Sequence, residues 1–303
     1  MNPEKNPLKS FSVEQIKSLL GVKLPKDYDP TQQTQLDTQP SKSPFQLQAA
    51  GAIKGRNSGS NSIMNRLPYD LDNRKRYPDC VNPIRDQMKC GSCWAFSSTN
   101  MLAERICVAT KGAKKPILSP QNLVSCYNPT DWGCDGGYVD ETFKHLEDAG
   151  VNTDDCMPYQ SGNGTNVQCP AQCANSDLIT NTFKCKSGST QNVSLRCHSN
   201  NSLQQLRSEE QLKNYLYYKG SLVAQFDVYS DFLNYGSGVY YHLTGDFVGR
   251  HAVKMIGYGV EAGIKYYLCA NQWGTEWGDK GYFKIRVGDV KIDQDAYGCD
   301  PVV

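Results

Sequence analysis

Two cysteines separated by two residues are the first feature of the sequence that could carry chemistry. Cys90 and Cys93 flank Gly-Ser, a spacing compatible with a redox pair, half of a zinc site, or a structural cysteine beside a reactive one. Zinc would need a second ligand pair, for which the sequence offers Cys169 and Cys173. The third interpretation has a physical basis if a helix begins at Cys93, because the positive end of the helix dipole favours a thiolate.

A nucleophilic cysteine also needs a histidine to exchange its proton and a further group to orient that histidine. The chain contains four histidines, namely His145, His198, His242 and His251. His251 opens an apolar run, a position that is more often structural than catalytic. However, Asn271 and Trp273 follow some twenty residues later, where an amide could fix the imidazole tautomer and an indole could shield the pair from water.

The pattern of apolar residues predicts the elements that would hold these groups. Apolar positions three and four residues apart predict a long, largely buried helix that starts close to Cys93, and a second helix is expected over Asp140–Asp148. Later runs rich in β-branched and aromatic residues predict the strands Ser221–Val228, Gly238–Tyr241, His251–Tyr258, Lys265–Ala270 and Gly281–Arg286. Helices followed by strands indicate an α+β protein, with two packed lobes and a cleft between them.

Residues 1–66, here called the leader, differ in composition from residues 67–303. The leader has no Cys or Trp, and its nine Lys and Arg against five Asp and Glu give +4, which leaves −3 for the rest of a chain of net charge +1. Ser12 and Gln15 form a capping-box pattern before one short helix that stops at Gly21. The stretch Thr31–Asn65 is expected to be a flexible connector. These features suggest a pro-segment, with a disordered tail as the alternative.

The overall composition excludes several classes of protein. A chain of 303 residues with 39% hydrophobic residues is typical of a folded protein, and a net charge of +1 argues against nucleic-acid partners. No apolar run is long enough to span a membrane or to form a signal-peptide core. Thirteen cysteines indicate an oxidising compartment. Sequons begin at Asn163, Asn192 and Asn200.

Four motifs, in order along the chain, carry a resemblance to a known family. They are Gln87 to Phe96 (QMKCGSCWAF), Gly133 to Gly137 (GCDGG), Arg250 to Ala252 (RHA) and Asn271 to Gly274 (NQWG). From about Leu67 onward the sequence resembles papain-type cysteine proteases, and among them it is most similar to cathepsin B. The resemblance implies a papain-like two-lobed fold with a helical left lobe, an antiparallel β-barrel-like right lobe and an active-site cleft between them.

The resemblance also implies a role for each catalytic residue. It makes Cys93 the nucleophile, His251 its acid–base partner and Asn271 the residue that orients the imidazole. Gln87 would donate to the oxyanion of the tetrahedral intermediate, and Trp273 would cover the His251–Asn271 pair. No metal and no cofactor are implied.

Four further positions are expected to bind substrate. Gly136 and Gly137 would offer backbone groups to an extended peptide. Asp295 aligns with a Glu of cathepsin B in the second non-primed pocket, where a carboxylate could pair with an Arg side chain; an exposed Asp in a charged tail is the alternative. Arg250 stands where the relative has Gly, so we expect it to alter the primed side.

One insertion of cathepsin B is expected to be missing. In that enzyme an occluding loop with two adjacent histidines closes the primed end of the cleft. Only twelve residues separate Cys156 from Cys169, and none is His. The sequence therefore predicts an endopeptidase with an open cleft instead of an enzyme that removes C-terminal dipeptides.

Similarity to cathepsin B also implies most of the disulfide pairing. With Cys93 free, twelve cysteines remain for six bridges. The pairs implied by the resemblance are Cys80–Cys107, Cys90–Cys134, Cys126–Cys169 and Cys156–Cys173. The four cysteines left over are provisionally paired as Cys185–Cys197 and Cys269–Cys299.

The resemblance extends to the leader. Residues 15–22 resemble the cathepsin B pro-segment stretch that crosses the active site, so Leu20 and Gly21 are expected near Cys93 in a non-cleavable direction. The chain would then be a zymogen, processed around Arg66–Pro68, and low pH should loosen a basic leader from an acidic body. Expected partners are protein and peptide substrates, the leader itself and cystatin-type inhibitors, for a monomer in a lysosome, a vacuole or the secreted fraction.

Two alternatives to a protease remain at this point. A catalytically silent papain-fold protein could bind peptides, because a preserved triad does not guarantee an accessible cleft. A thiol–disulfide oxidoreductase could use Cys90 and Cys93, although it would leave Gln87, His251 and Asn271 without a role.

Overall fold

The computed structural model describes residues 6–24, 26, 28–31, 67–127, 132–174, 182–193 and 202–303, with the side chains of 202–208 left out. Its helices are α1 (Val13–Leu19), α2 (Asn73–Arg76), α3 (Cys93–Ala109), α4 (Pro120–Cys126), α5 (Val139–Asp148) and α6 (Ser202–Tyr218). Its strands are β1 (Leu71–Asp72), β2 (Gln191–Asn192), β3 (Leu222–Tyr229), β4 (Val239–Tyr240), β5 (Phe247–Glu261), β6 (Ile264–Ala270), β7 (Tyr282–Arg286) and β8 (Ala296–Gly298). In the described part of the chain, no helix combines the length and apolarity needed to cross a bilayer.

Helix α3 begins at Cys93, where the apolar spacing placed it, and nearly all of it is buried. Several polar residues are buried within α3, and their hydroxyl groups find hydrogen-bond partners because they donate to backbone carbonyls one turn earlier in the helix. Ser97, Ser98 and Thr99 donate at 2.7, 2.7 and 2.9 Å to the carbonyls four residues before them. A helix can therefore be buried on all sides without a continuous apolar sequence.

Three helices of the structure, α2, α4 and α6, were not predicted. Helix α4 starts with a Ser-Pro pair, in which the Ser119 hydroxyl accepts a hydrogen bond from the Asn122 backbone N–H at 3.0 Å. That pair is a recognisable N-terminal signal. Helix α6 is mostly polar, and the signal available for it was the i, i+4 spacing of Leu212 and Leu216, both fully buried.

The strands form one sheet in the order β2-β8-β3-β5-β6-β7-β4, with β1 also paired to β5. The pair β4–β7 is parallel and the other pairs are antiparallel. The central strand β5 begins four residues before His251, because its pairing with β3 continues to Tyr229 opposite Phe247. In this register His251 lies opposite Phe226, and Arg250 opposite Asp227.

Two apolar clusters form the cores of the two lobes. One surrounds Phe232 and Phe283 on the sheet, and the other surrounds Trp94 and Phe143 among α3, α4 and α5. Helix α3 packs against β5 along the boundary. There, Lys254 of β5 pairs with Glu104 of α3 at 2.8 Å, and both side chains are buried. Removing one partner of such a pair would leave an unpaired buried charge, which typically costs 3–5 kcal/mol, about the largest effect of a single substitution.

The disulfides agree with the resemblance except at the provisional pairs. The structure contains Cys80–Cys107, Cys90–Cys134, Cys126–Cys169 and Cys156–Cys173, the four bridges that the resemblance implied. The provisional pairs were wrong, because the fifth bridge is Cys185–Cys299 and Cys269 is free. Cys269 lies in the core opposite Met255 and Phe283 on the neighbouring strands, whereas the backbone of Cys185 pairs with that of Pro301, two residues after Cys299. Cys197 lies outside the described residues.

Candidate active site

Cys93, the candidate nucleophile, is the first residue of α3 and is fully buried. Cys90 is bonded to Cys134, which leaves Cys93 as the free thiol of the pair. Backbone N–H groups of Ala252, next to His251, and of Gly21, in the leader, are directed at the Cys93 sulfur. A redox pair of Cys90 and Cys93 does not fit this pairing.

The described residues contain no group of three or more His, Cys, Asp or Glu that could hold a metal ion.

His251 is oriented by the amide of Asn271, the residue that follows β6. Its Nε2 lies 2.8 Å from the Asn271 Oδ1 and 3.2 Å from the Gln272 Nε2. The Trp273 ring lies over the imidazole, with centroids 4.6 Å apart, and Trp273 is itself buried. Within the described residues the His251 Nδ1 makes no hydrogen bond. One ring nitrogen is thus fixed by Asn271, and the other remains available for proton exchange.

The Gln87 side chain points at the leader instead of at solvent. Its Nε2 donates to the Cys90 carbonyl at 2.7 Å and to the Leu19 carbonyl at 2.9 Å. The Gln87 backbone is also fixed, because its N–H donates to the Gln272 carbonyl at 2.9 Å and its carbonyl accepts from the Tyr159 hydroxyl at 2.9 Å. Tyr159 was not among the predicted site residues.

The leader crosses this site in an extended conformation. The Gly137 N–H donates to the Gly21 carbonyl at 2.8 Å, the Lys23 N–H donates to the Gly137 carbonyl at 3.1 Å, and the Val22 N–H donates to the Arg250 carbonyl at 3.3 Å. Val22 and Gly137 pair in parallel. Leu20 is buried against Gly249. Leu20 and Gly21 thus lie in the stretch of the leader that makes these contacts with the body.

Close approach explains the glycines at the crossing. A Cβ on Gly21 would come 1.7 Å from the Gly91 carbonyl oxygen, and one on Gly137 would come 2.7 Å from the Trp94 ring. Gly136 adjoins the crossing as well, since a Cβ there would come 2.8 Å from the Gly21 carbonyl oxygen. Side chains at Gly21 or Gly136 would push the leader away from the body, whereas a side chain at Gly137 would collide with Trp94 of the body itself.

Asp295 and Arg250 belong to one charged network. The Gln225 amide donates to Asp295 at 2.9 Å, and the Arg250 guanidinium lies 3.6 Å from the same carboxylate. Arg250 also lies 3.3 Å from the carboxylate of Asp227. The carboxylate that was expected to meet a substrate Arg therefore already faces an Arg of the chain.

The segment between Cys156 and Cys169 borders a cavity that it shares with the leader. Here Tyr159 and Gly162 line a cavity of about 510 Å³ together with Leu8 of the leader. Trp273 forms part of its wall. Leader residues thus form one part of the wall of this cavity, and body residues form the other.

Burial changes the protonation of the catalytic pair. It raises the pKa of the Cys93 thiol to about 12, although the N–H groups of Ala252 and Gly21 act in the opposite direction. Burial also lowers the pKa of His251 to about 4, against the effect of Asn271. Both shifts favour the neutral forms, a thiol and an imidazole. Burial under the leader thus disfavours the thiolate and the imidazolium that nucleophilic catalysis uses.

Comparisons with known proteins agree with this geometry. A family model described as papain family cysteine protease matches residues 67–299. A gut-specific cysteine proteinase of Caenorhabditis elegans is 37% identical over 237 residues, which cover 75% of this chain and 71% of the relative. A cathepsin B-like protein, CP3, of Giardia intestinalis is 39% identical over 237 residues, with 77% and 74% covered.

Among solved structures, a procathepsin B of Trypanosoma congolense aligns with a TM-score of 0.75 and 25% identity over 97% of this chain and 90% of that one. The match includes the leader as well as the body, so the α+β papain-like fold is established. The chain belongs to the papain family of cysteine proteases, and within it to the cathepsin B-like group.

Proposed function

We propose that the chain is the zymogen of a cysteine endopeptidase, with residues 1–66 as pro-segment and residues 67–303 as peptidase domain. The observation that supports this most is the contact between the Gln87 amide and the Leu19 carbonyl, while Gly21 lies at the Cys93 sulfur. A peptide backbone thus occupies the place where a substrate would react. Its parallel pairing with Gly137 supports a direction opposite to that of a cleavable substrate.

The proposed reaction uses four residues once the leader has left. Cys93 gives its proton to His251, and the resulting thiolate attacks the carbonyl carbon of the scissile bond. Gln87 and the Cys93 backbone N–H donate to the oxyanion. His251 then gives the proton to the departing amine, which leaves a thioester on Cys93. Water, deprotonated by His251, hydrolyses the thioester and restores the thiol, while Asn271 holds the imidazole in orientation.

Endopeptidase specificity is proposed from the short segment between Cys156 and Cys169. It carries no histidine, and the described space beside Trp273 is covered by Leu8 and Phe11 of the leader. When the leader leaves, a peptide chain can continue past Trp273 in both directions. Cleavage within peptides is therefore expected, instead of stepwise release of C-terminal dipeptides.

The remaining aspects of the proposal concern the setting of the enzyme. Five disulfides support folding in an oxidising compartment, on the route to a lysosome, a vacuole or the outside of the cell. We propose a monomer whose open cleft also accepts cystatin-type inhibitors. Processing is proposed around Arg66–Pro68, where Arg66 lies outside the described residues.

Digestion of a peptide library by the acid-incubated full chain, read by mass spectrometry, tests the proposal. Internal cuts should appear, and prior alkylation of Cys93 should abolish them. Cys269 serves as an internal control, because its burial in the core should keep it unmodified. Exclusive release of C-terminal dipeptides would overturn the endopeptidase claim. Absence of any cut by leader-free protein would favour a peptide-binding protein without catalysis.

A further inference from the structure

A second anchor of the leader lies beyond the catalytic pair, at Tyr28. The Tyr28 hydroxyl donates to the Asp227 carboxylate and accepts from the Lys291 ammonium at 3.0 Å. Its ring lies 4.2 Å from the Lys291 ammonium and 5.3 Å from the Arg250 guanidinium. Phe247 completes the wall at 6.3 Å. We call Asp227, Arg250 and Lys291 the tyrosine clamp.

The clamp is held together by bonds that do not involve the leader. Asp227 lies 3.3 Å from Arg250 and 3.1 Å from Lys291, and its backbone N–H donates to the Val290 carbonyl at 2.8 Å. Val290 and Lys291 have φ values of 42° and 63°, which are strained for residues other than glycine. The clamp should therefore keep its shape when Tyr28 leaves.

The charges of the clamp favour a neutral aromatic guest that has a hydroxyl. With Asp295 beside Arg250, the network contains two carboxylates and two cations, so an incoming charged side chain meets a like charge as well as an opposite one. The two cations can contact an aromatic face. Asp227, only 1% exposed in its side chain, can accept a hydrogen bond from a phenol but not from a phenylalanine.

The clamp is within reach of a peptide in the cleft. Arg250 contributes its carbonyl to the Val22 N–H and its guanidinium to the clamp. A peptide hydrogen-bonded to the Arg250 carbonyl would therefore be separated from the position of the Tyr28 ring by the length of the Arg250 side chain. His251 is the next residue after Arg250, so the clamp adjoins the catalytic centre.

We propose that the tyrosine clamp is a subsite of the leader-free enzyme that binds a tyrosine side chain of the peptide substrate, with Asp227 and Lys291 as the residues that distinguish Tyr from Phe. This inference rests on the proposed protease function. Tyr28 of the leader then occupies the same subsite as the tyrosine of a substrate. The expected preference is a neutral phenol over Phe, Arg or Glu at one position of the substrate.

Cleavage-site profiling with paired variants tests the clamp. Peptides that carry Tyr or Phe at each position around a fixed scissile bond are digested by the acid-activated chain. At one position kcat/KM for Tyr should exceed that for Phe by about tenfold, the size expected for a hydrogen bond to a charged group. Lys291→Met should reduce that ratio severalfold. Lys115→Met, at an exposed Lys paired with Asp79, should leave it unchanged.

Equal rates for Tyr and Phe at every position, or a ratio that Lys291→Met does not alter, would overturn the clamp and leave the protease proposal intact. If the wild-type chain cleaves nothing, the protease proposal fails, and binding still tests the clamp. A synthetic peptide of residues 15–31 should then bind leader-free protein about tenfold more tightly than its Tyr28→Phe form. Equal affinities would overturn the inference in that case too.

Discussion

Cys93 and Cys269 are both free, fully buried thiols, yet they lie in two different kinds of interior. Cys269 lies on β6 between Met255 of β5 and Phe283 of β7, and burial alone raises its pKa. Cys93 lies at the start of α3 beneath Gly21 of the leader. The interior around Cys269 is permanent core, whereas part of the cover over Cys93 is a segment that can leave. Burial by itself therefore does not separate an inert cysteine from a latent nucleophile.

Substituting each thiol by alanine should produce the largest difference between the two regions. Cys93→Ala should lower kcat/KM on a fluorogenic peptide by at least ~10⁴-fold, because the nucleophile is lost. Cys269→Ala should keep the activity and lower the free energy of unfolding by about 1 kcal/mol. Enzyme assays after acid incubation and urea unfolding measure the two effects. Comparable losses of activity in both variants would remove the distinction.

The second prediction concerns the other group that the leader covers. Gln87→Ala should lower kcat by about 10²–10³-fold, because one donor to the oxyanion is lost, with little change in peptide binding. Gln211→Ala, at an exposed position of α6, is the matched control and should change neither. A loss confined to KM would show that Gln87 binds the ground state and does not stabilise the transition state.

The third prediction is that low pH exposes Cys93 but not Cys269. His251 has a pKa of about 4 under the leader and is expected near 6.5 when the leader opens. The pKa of His251 is thus lower in the closed form than in the open form. The open form therefore takes up a proton as the pH falls from 6.5 to 4, and the closed form loses stability over that range. From pH 7 to pH 5 the population of the open form should rise by roughly 20-fold.

Alkylation of the intact chain by iodoacetamide, quantified by mass spectrometry, measures this opening. Labelling of Cys93, divided by the labelling of a fully exposed model thiol at the same pH, should increase toward pH 5, because the fraction of open chain increases. Labelling of Cys269 should stay low throughout. His251→Ala would remove the linked proton and should flatten the dependence. A Cys93 rate that falls with pH like that of a model thiol would contradict the linkage.

Much of the catalytic centre was predictable because its signals are local. Periodicity placed the start of α3 at Cys93, and the strand pattern placed His251 within β5. A capping box located α1 of the leader, as the Ser12 and Gln15 bonds show. Such features depend on residues three or four positions apart, so the order of the chain is enough to recognise them.

The clamp gave only a weak signal in the sequence. Asp227 is the one charged residue of the mostly apolar strand β3, which could have marked it as functional. Its partners Lys291 and Tyr28 lie 64 and 199 residues away along the chain. No spacing rule connects residues that distant, and they meet through tertiary contacts such as the hydrogen bond from the Asp227 N–H to the Val290 carbonyl.

The sequence by itself determined the chemistry available to this protein: a cysteine at a helix start, a histidine on a strand, and the Asn and Gln that serve them. Tertiary structure decided which groups meet. It paired Cys185 with Cys299 and left Cys269 in the core, set Arg250 against Asp295 before any substrate arrives, and laid the leader on Gln87. The physical reason is that hydrogen bonds, ion pairs and burial depend on distance in space, which the packing of sheet, helices and leader fixes.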